Sequence, residues 1–144
     1  FNVIGPVYKS QVVYFNKLKN MIQKYNINNF NFLGPSSKVL ESLINFDIYI
    51  CSSLNESSPI SVWEAMSIGL PIISTDVGDI NNYIAKKAGL ICRDVEDFDH
   101  AIRGFIKNND SLLAMSKNSI SISRQHFSIE ACAMKHKDFF NSLD

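Results

Sequence analysis

The sequence is short of the features that mark metal proteins, disulfide scaffolds and nucleic-acid binders. Its three cysteines, Cys51, Cys92 and Cys132, are odd in number and widely spaced, with no C-x-x-C pair. That leaves no basis for a disulfide framework and points to a reduced, intracellular setting. His100, His126 and His136 show no ligand-like spacing, so no metal site is expected. Fourteen basic residues balance fourteen acidic ones, and a chain without net charge has no general attraction for nucleic acid or an anionic membrane surface. Any anion it binds must be held locally. No apolar run approaches the roughly 18 residues of a membrane span, and no basic-then-apolar signal segment opens the chain. The expectation is a soluble, cytoplasmic protein, any peripheral membrane contact being made through parts outside this sequence.

Apolar residues, by contrast, are plentiful. They make up 46% of 144 residues, ample for one continuous core in a single domain of ordinary size. Short apolar runs at 1–4, 30–33, 47–51, 71–74 and 89–92 alternate with longer amphipathic ones. Such alternation is the pattern of strands buried on both faces and joined by crossover helices. Over 11–25, the residues Val12, Phe15, Leu18, Ile22 and Tyr25 recur at three- and four-residue intervals and make one helical face. Helices over 38–44, 60–68 and 79–85 fill the other crossovers. After the last strand the pattern becomes helical only, at 95–106, 111–123 and 129–140, with an Asn-rich turn at 107–110. The predicted fold class is α/β, a Rossmann-like parallel sheet flanked by helices. Parallel crossovers gather the strand-to-helix loops at one sheet edge, where ligands bind in open α/β folds.

The segment 52–69, SSLNESSPISVWEAMSIG, follows the third strand directly and carries two acids, Glu56 and Glu64, with seven residues between them. Ser58 is placed to cap a helix whose first residue is Pro59, where a missing N–H costs nothing. Glu56 then falls in the loop at the strand's carboxyl end. Glu64 falls on the second helical turn among Val62, Trp63, Ala65 and Met66, and an acid in such surroundings needs a partner. Plainer readings exist: Glu64 as the third-position member of a capping box with Ser61, and Glu56 as a solvated loop residue. Against them stand Pro59, which favours the earlier cap, and the placement of both acids at the ligand edge.

This segment resembles the E-x7-E signature of family 4 glycosyltransferases, which share the GT-B architecture. The wider resemblance runs through Phe32-Leu33-Gly34, Glu64-Ala65-Met66, Gly69-Leu70-Pro71-Ile72-Ile73, Thr75-Asp76-Val77-Gly78-Asp79 and Phe127-Ser128, in the family's order. It implies the carboxyl-terminal, nucleotide-sugar-binding half of a retaining glycosyltransferase over 1–144, with no cofactor and a nucleotide-diphosphate sugar as donor. By the same resemblance Glu64 holds the donor's ribose hydroxyls and Glu56, the catalytic candidate, holds the hydroxyls of the transferred sugar. The diphosphate would meet the backbone amides of Ile60 and Ser61 near Ser58, at a helix start whose free N–H groups and dipole favour negative charge. Leu33 and Gly34 match positions that hold the nucleotide base through backbone groups, their plain reading being a strand-ending turn. Phe32 reads as core, and Gly78 as a residue supplying a positive φ angle. Where the family has Gly and a large apolar residue after the first Glu, this chain has Ser57 and Ser58.

The resemblance also implies that an acceptor-binding domain, and a strand and loop carrying phosphate-neutralising Arg and Lys, precede position 1. The first strand of the domain, central in the usual strand order, would then be missing, and the remaining strands would either leave a gap or close up. Isolated in this form, the domain is expected to be inactive. Two rival functions are a non-catalytic nucleotide-binding module and a dinucleotide-dependent oxidoreductase. The latter lacks its fingerprint, since Ile4-Gly5-Pro6-Val7 offers one Gly and no G-x-G-x-x-G.

Overall fold

A computed structural model describes residues 1–85 and 87–143. In chain order the elements are β1 (Asn2–Ile4), a 3-10 turn (Lys9–Gln11), α1 (Val12–Lys24), β2 (Asn31–Gly34), α2 (Val39–Leu43), β3 (Tyr49–Cys51), α3 (Ile60–Ser67), β4 (Ile72–Thr75), α4 (Ile80–Ile84), β5 (Gly89–Cys92), α5 (Val95–Lys107), α6 (Asn109–His126) and α7 (Ile129–Asn141). Each expected strand and helix is present, with ends displaced by a few residues. The largest difference is the Asn-rich turn. It contracts to Asn108, which closes α5 and caps α6 by accepting from the Ser111 N–H at 3.1 Å, so α6 begins earlier than the apolar spacing suggested.

The chain divides into two compact units, Phe1–Glu41 and Ser42–Asp144. In the first, β1 and β2 pair in parallel, with Asn2 opposite Asn31 and Val3 opposite Phe32. Phe32 is half-buried, short of the core position its sequence context indicated, and meets Phe15 of α1 edge-on, with ring centroids 4.8 Å apart, and Phe30 at 5.3 Å. Phe15, Leu18 and Ile22 are half-buried, as the helical face required, whereas Val12 and Tyr25 at its ends are exposed.

In the second unit β3, β4 and β5 form a parallel sheet with β4 in the middle, Tyr49 opposite Ile72 and Ile72 opposite Gly89. Successive strand residues point to opposite faces, and Ile72 and Ile73 are both wholly buried, so β4 is covered on both sides. Ile73 packs with Cys92, Ala101 and Phe105, and Phe98, Ile102, Leu112 and Met115 surround them. The amphipathic face of α5 thereby closes one side of the sheet. Cys92 is a small buried hydrophobe, its thiol pushed up by burial and further by the nearby Asp97 and Asp94. Helix α6 packs against α3, fastened by Ser119, whose buried hydroxyl donates to the Leu70 carbonyl at 2.9 Å.

All three pairings are parallel, as the βαβ pattern demanded. The five strands nevertheless form two ladders, β1–β2 and β3–β4–β5. Among the described residues β2 and β3 share no ladder.

Candidate functional site

The second unit places five of the sequence candidates around the carboxyl end of β3. Glu56 and Ser58 lie in the loop between β3 and α3, and Ile60, Ser61 and Glu64 lie on α3. Leu33 and Gly34 end β2 in the first unit. Leu33 is exposed there, and the Gly34 carbonyl already accepts from the Gly5 N–H at 2.9 Å.

The helix start differs from expectation. Helix α3 begins at Ile60, and Pro59, in an extended conformation, is the capping residue without a side-chain cap. The Pro59 carbonyl accepts from the Val62 N–H at 2.9 Å. Ser58 is therefore not the cap. Its hydroxyl accepts from the indole N–H of Trp63 at 3.0 Å, because a buried Trp must find an acceptor for its one donor. The N–H groups of Ile60 and Ser61 precede the first intrahelical bond and have no acceptor within the helix. The helix ends in a Schellman turn. Leu70 N–H bonds to the Ala65 carbonyl and Gly69 N–H to the Met66 carbonyl, each at 3.0 Å, with Gly69 at φ +89°.

Val62, Ala65 and Met66 on α3 are wholly buried, whereas Glu64 is half-buried. The capping-box reading of Glu64 fails, since Ser61 is the second residue of the helix and its side chain bonds to Tyr49. Glu56 is exposed but not a free loop acid: its carboxylate accepts from the Ser53 hydroxyl at 2.9 Å. Ser53 is itself tied down, its carbonyl accepting from the Thr75 hydroxyl at the end of β4 at 2.6 Å.

Tyr49 is the residue that sequence reading missed. Burial pushes its phenol above the ordinary value of 10.0, a hydrogen bond with the Ser61 side chain pulls it back, and Cys51, Glu64 and Glu56 add to the rise. Both glutamates thus act electrostatically on the one hydroxyl. The available signal was a polar-tipped aromatic opening the strand that leads into the loop. Behind α3, Trp63 stacks on Phe127 with centroids 4.2 Å apart, and Tyr83 meets both rings edge-on. Ser128 caps α7 by accepting from the Ala131 N–H at 3.1 Å. The late Phe127-Ser128 pair thereby gains structural roles, one bracing α3 and one starting a helix. One oxygen of Asp79, in the loop after β4, is buried without a hydrogen-bond partner. Among the described residues no group of three or more His, Cys, Asp or Glu side chains could hold a metal ion, and no helix is long and apolar enough to cross a membrane.

A parallel α/β unit with paired acids at the carboxyl edge of its sheet is common to more than one family, and the sequence match decides between them. The sequence model described as "Glycosyl transferases group 1" matches residues 1–121. The chain belongs to this family. Among relatives of the group 1 enzymes, the lipopolysaccharide core biosynthesis mannosyltransferase LpsB of Rhizobium meliloti is 23% identical over 147 residues, covering 98% of this chain and 42% of LpsB. An uncharacterized glycosyltransferase of Methanocaldococcus jannaschii, MJ1059, is 42% identical over 62 residues, 42% of this chain and 15% of that protein. The crystal structure of Anabaena HepE in complex with UDP and glucose superposes with a TM-score of 0.88 at 17% identity, over 98% of this chain and 40% of HepE. That likeness establishes the fold. The group 1 chain described here therefore spans about two fifths of the length of LpsB and of HepE.

Proposed function

We propose that this chain is the donor-binding part of a retaining glycosyltransferase, which transfers a sugar from a nucleotide diphosphate to an acceptor hydroxyl in polysaccharide or glycoconjugate synthesis. The observation that carries the reading is that Glu56, in the loop after β3 and held there by Ser53, and Glu64, on the second turn of α3, stand on either side of the uncapped start of that helix. A carboxylate accepts two hydroxyl donors at once, and a sugar and a ribose each present such pairs. Glu64, set on a buried helix and half-shielded from water, suits the ribose, which must be held in one orientation. Glu56, on the exposed loop with one oxygen steadied by Ser53, suits the glycosyl group that reacts and departs.

The diphosphate belongs between them, at the start of α3. The N–H groups of Ile60 and Ser61 are unused by the helix, and the positive end of its dipole favours phosphate charge. Neither glutamate acts as a nucleophile in this arrangement. Each holds hydroxyls so that the anomeric carbon and the leaving phosphate keep their geometry while the bond between them breaks, a contribution of orientation. Binding of UDP and glucose in HepE, a protein of the same fold, supports a nucleotide-sugar donor. The biosynthetic role of LpsB supports a place in glycan assembly.

The test is made on the full-length protein, after a thermal-shift screen of uridine, guanosine and adenosine diphosphate sugars has selected the donor. Glu64→Gln weakens nucleoside diphosphate binding about ten-fold or more, the loss expected for hydrogen bonds to a charged group. Glu56→Ala lowers transfer while nucleoside diphosphate affinity is unchanged. Unaltered affinity in the first variant, or equal loss of affinity and transfer in the second, refutes this division of roles.

A further inference from the structure

The Glu56 loop is short of anchors of its own. Residues 52–58 contribute no buried side chain, and Glu56 itself is exposed. A residue meant to meet a reacting sugar cannot be left to wander, since a misplacement of about 1 Å can cost 100-fold in rate. Beyond the Trp63 bond to Ser58 at its end, two contacts hold this loop, one from the last residue of β4 and one from the turn after it. At its start the Ser53 carbonyl accepts from the Thr75 hydroxyl at 2.6 Å, and the Ser53 hydroxyl in turn donates to Glu56 at 2.9 Å. At its far side Gly78 comes directly against the backbone. A Cβ at position 78 would lie 2.3 Å from the Ser57 carbonyl oxygen and 3.2 Å from that of Glu56. The turn that brings Gly78 there has φ +55°, in the left-handed region.

We infer that Thr75 and Gly78 form a clamp on the Glu56 loop, and that they are positioning residues for sugar transfer which touch no part of the donor. The inference rests on the reading of Glu56 as the sugar-holding acid. It assigns Gly78 more than a turn. A positive φ alone would be met by Asn at modest cost, whereas the approach to Ser57 admits no side chain at all. Any Cβ must push the 56–57 backbone outward and carry the Glu56 carboxylate with it. Thr75 works from the other end, because without its hydroxyl the Ser53 carbonyl is released, and with it the group that steadies Glu56. Helix α3 is braced separately by the stacking of Trp63 on Phe127, and Ser58, bonded to Trp63, holds the loop's last residue to the helix, so displacement at 56–57 need not disturb Glu64 or the amides of Ile60 and Ser61.

The clamp is tested in the full-length protein with Gly78→Ala, Thr75→Val and Thr75→Ser beside Glu56→Ala, using the donor chosen by the screen above. Measured for each are kcat and KM for donor turnover, nucleoside diphosphate affinity, melting temperature, and hydrogen–deuterium exchange over residues 52–58. Gly78→Ala and Thr75→Val are expected to lower kcat on the order of 10- to 100-fold, with unchanged nucleoside diphosphate affinity and faster exchange in the loop. Thr75→Ser, which keeps the hydroxyl, restores turnover. Wild-type kcat in both damaging variants overturns the inference, as does loss of nucleoside diphosphate affinity in step with kcat, which marks general disruption. Should Gly78→Ala not fold, the Thr75→Val and Thr75→Ser pair decides alone. If Glu56→Ala itself turns over normally, the function assigned to Glu56 fails. The clamp is then judged by exchange, and an unaltered rate over 52–58 in Gly78→Ala or Thr75→Val overturns it separately.

Discussion

Tyr49 shows how much one side chain can report about its surroundings. Its phenol is raised from 10.0 chiefly by burial, against the pull of Ser61, with Cys51, Glu64 and Glu56 adding to the rise. The folded state therefore keeps the proton to higher pH than the unfolded state does. The sign follows: the contribution to stability is fully present below about pH 10 and is lost as pH rises through the higher folded value. Urea unfolding of the protein at increasing alkaline pH should show a falling midpoint, and Tyr49→Phe, which has nothing to ionise, should flatten that fall. An identical slope in the variant would count against the environment described for Tyr49. At this scale the sequence revealed the acids but not their neighbours. The spacing of Glu56 and Glu64 was readable from the chain, whereas the Ser53–Glu56 and Ser61–Tyr49 bonds join residues whose orientation depends on the loop and on a neighbouring strand. Ser58 illustrates the same limit. Its position before Pro59 satisfied the rule for a helix cap, yet the nearby indole of Trp63 claimed its hydroxyl.

Among the elements, boundaries followed local chemistry more closely than apolar periodicity. Helix α5 starts where Asp94 accepts from the Asp97 N–H at 2.8 Å while Asp97 accepts from the Arg93 N–H at 3.0 Å. This reciprocal pair satisfies two backbone donors and fixes the end of β5 to the helix that closes the core. Asp94→Ala should cost about 1 kcal/mol, and Asp94→Asn much less, since Asn serves equally well as a cap. Denaturant midpoints at constant slope would measure the difference, and equal loss in both variants would point to charge instead of capping. Helix α3 relies on the opposite device. It has no side-chain cap at its start, and its order comes from burial of Val62, Ala65 and Met66 and from the Schellman turn at Gly69. A helix start left without a cap is one whose amides remain available to a ligand.

At the level of the whole molecule, burial is unevenly shared. Every buried apolar side chain among the described residues belongs to Ser42–Asp144, from Leu43 to Phe105, and none of residues 1–41 is buried. A two-stranded ladder with a half-buried face is marginal without further cover, and local opening is easiest where few apolar contacts oppose it. Native-state hydrogen exchange should accordingly find the slowest amides at Ile72 and Ile73 and the fastest strand amides in β1 and β2. Comparable protection in both units would contradict the asymmetry. The chain by itself determined the order of strands and helices, the parallel class and the pair of acids, because these follow from apolar periodicity and from short local spacings that survive in one dimension. Only the tertiary structure decided that the strands form two ladders and that Thr75 and Gly78 bear on the Glu56 loop across some twenty residues of chain. It also decided that Ser61 of α3 bonds to Tyr49 of β3. Ladder pairing and close backbone approach are contacts between distant segments, and their energy depends on which surfaces meet once the helices have folded back over the sheet.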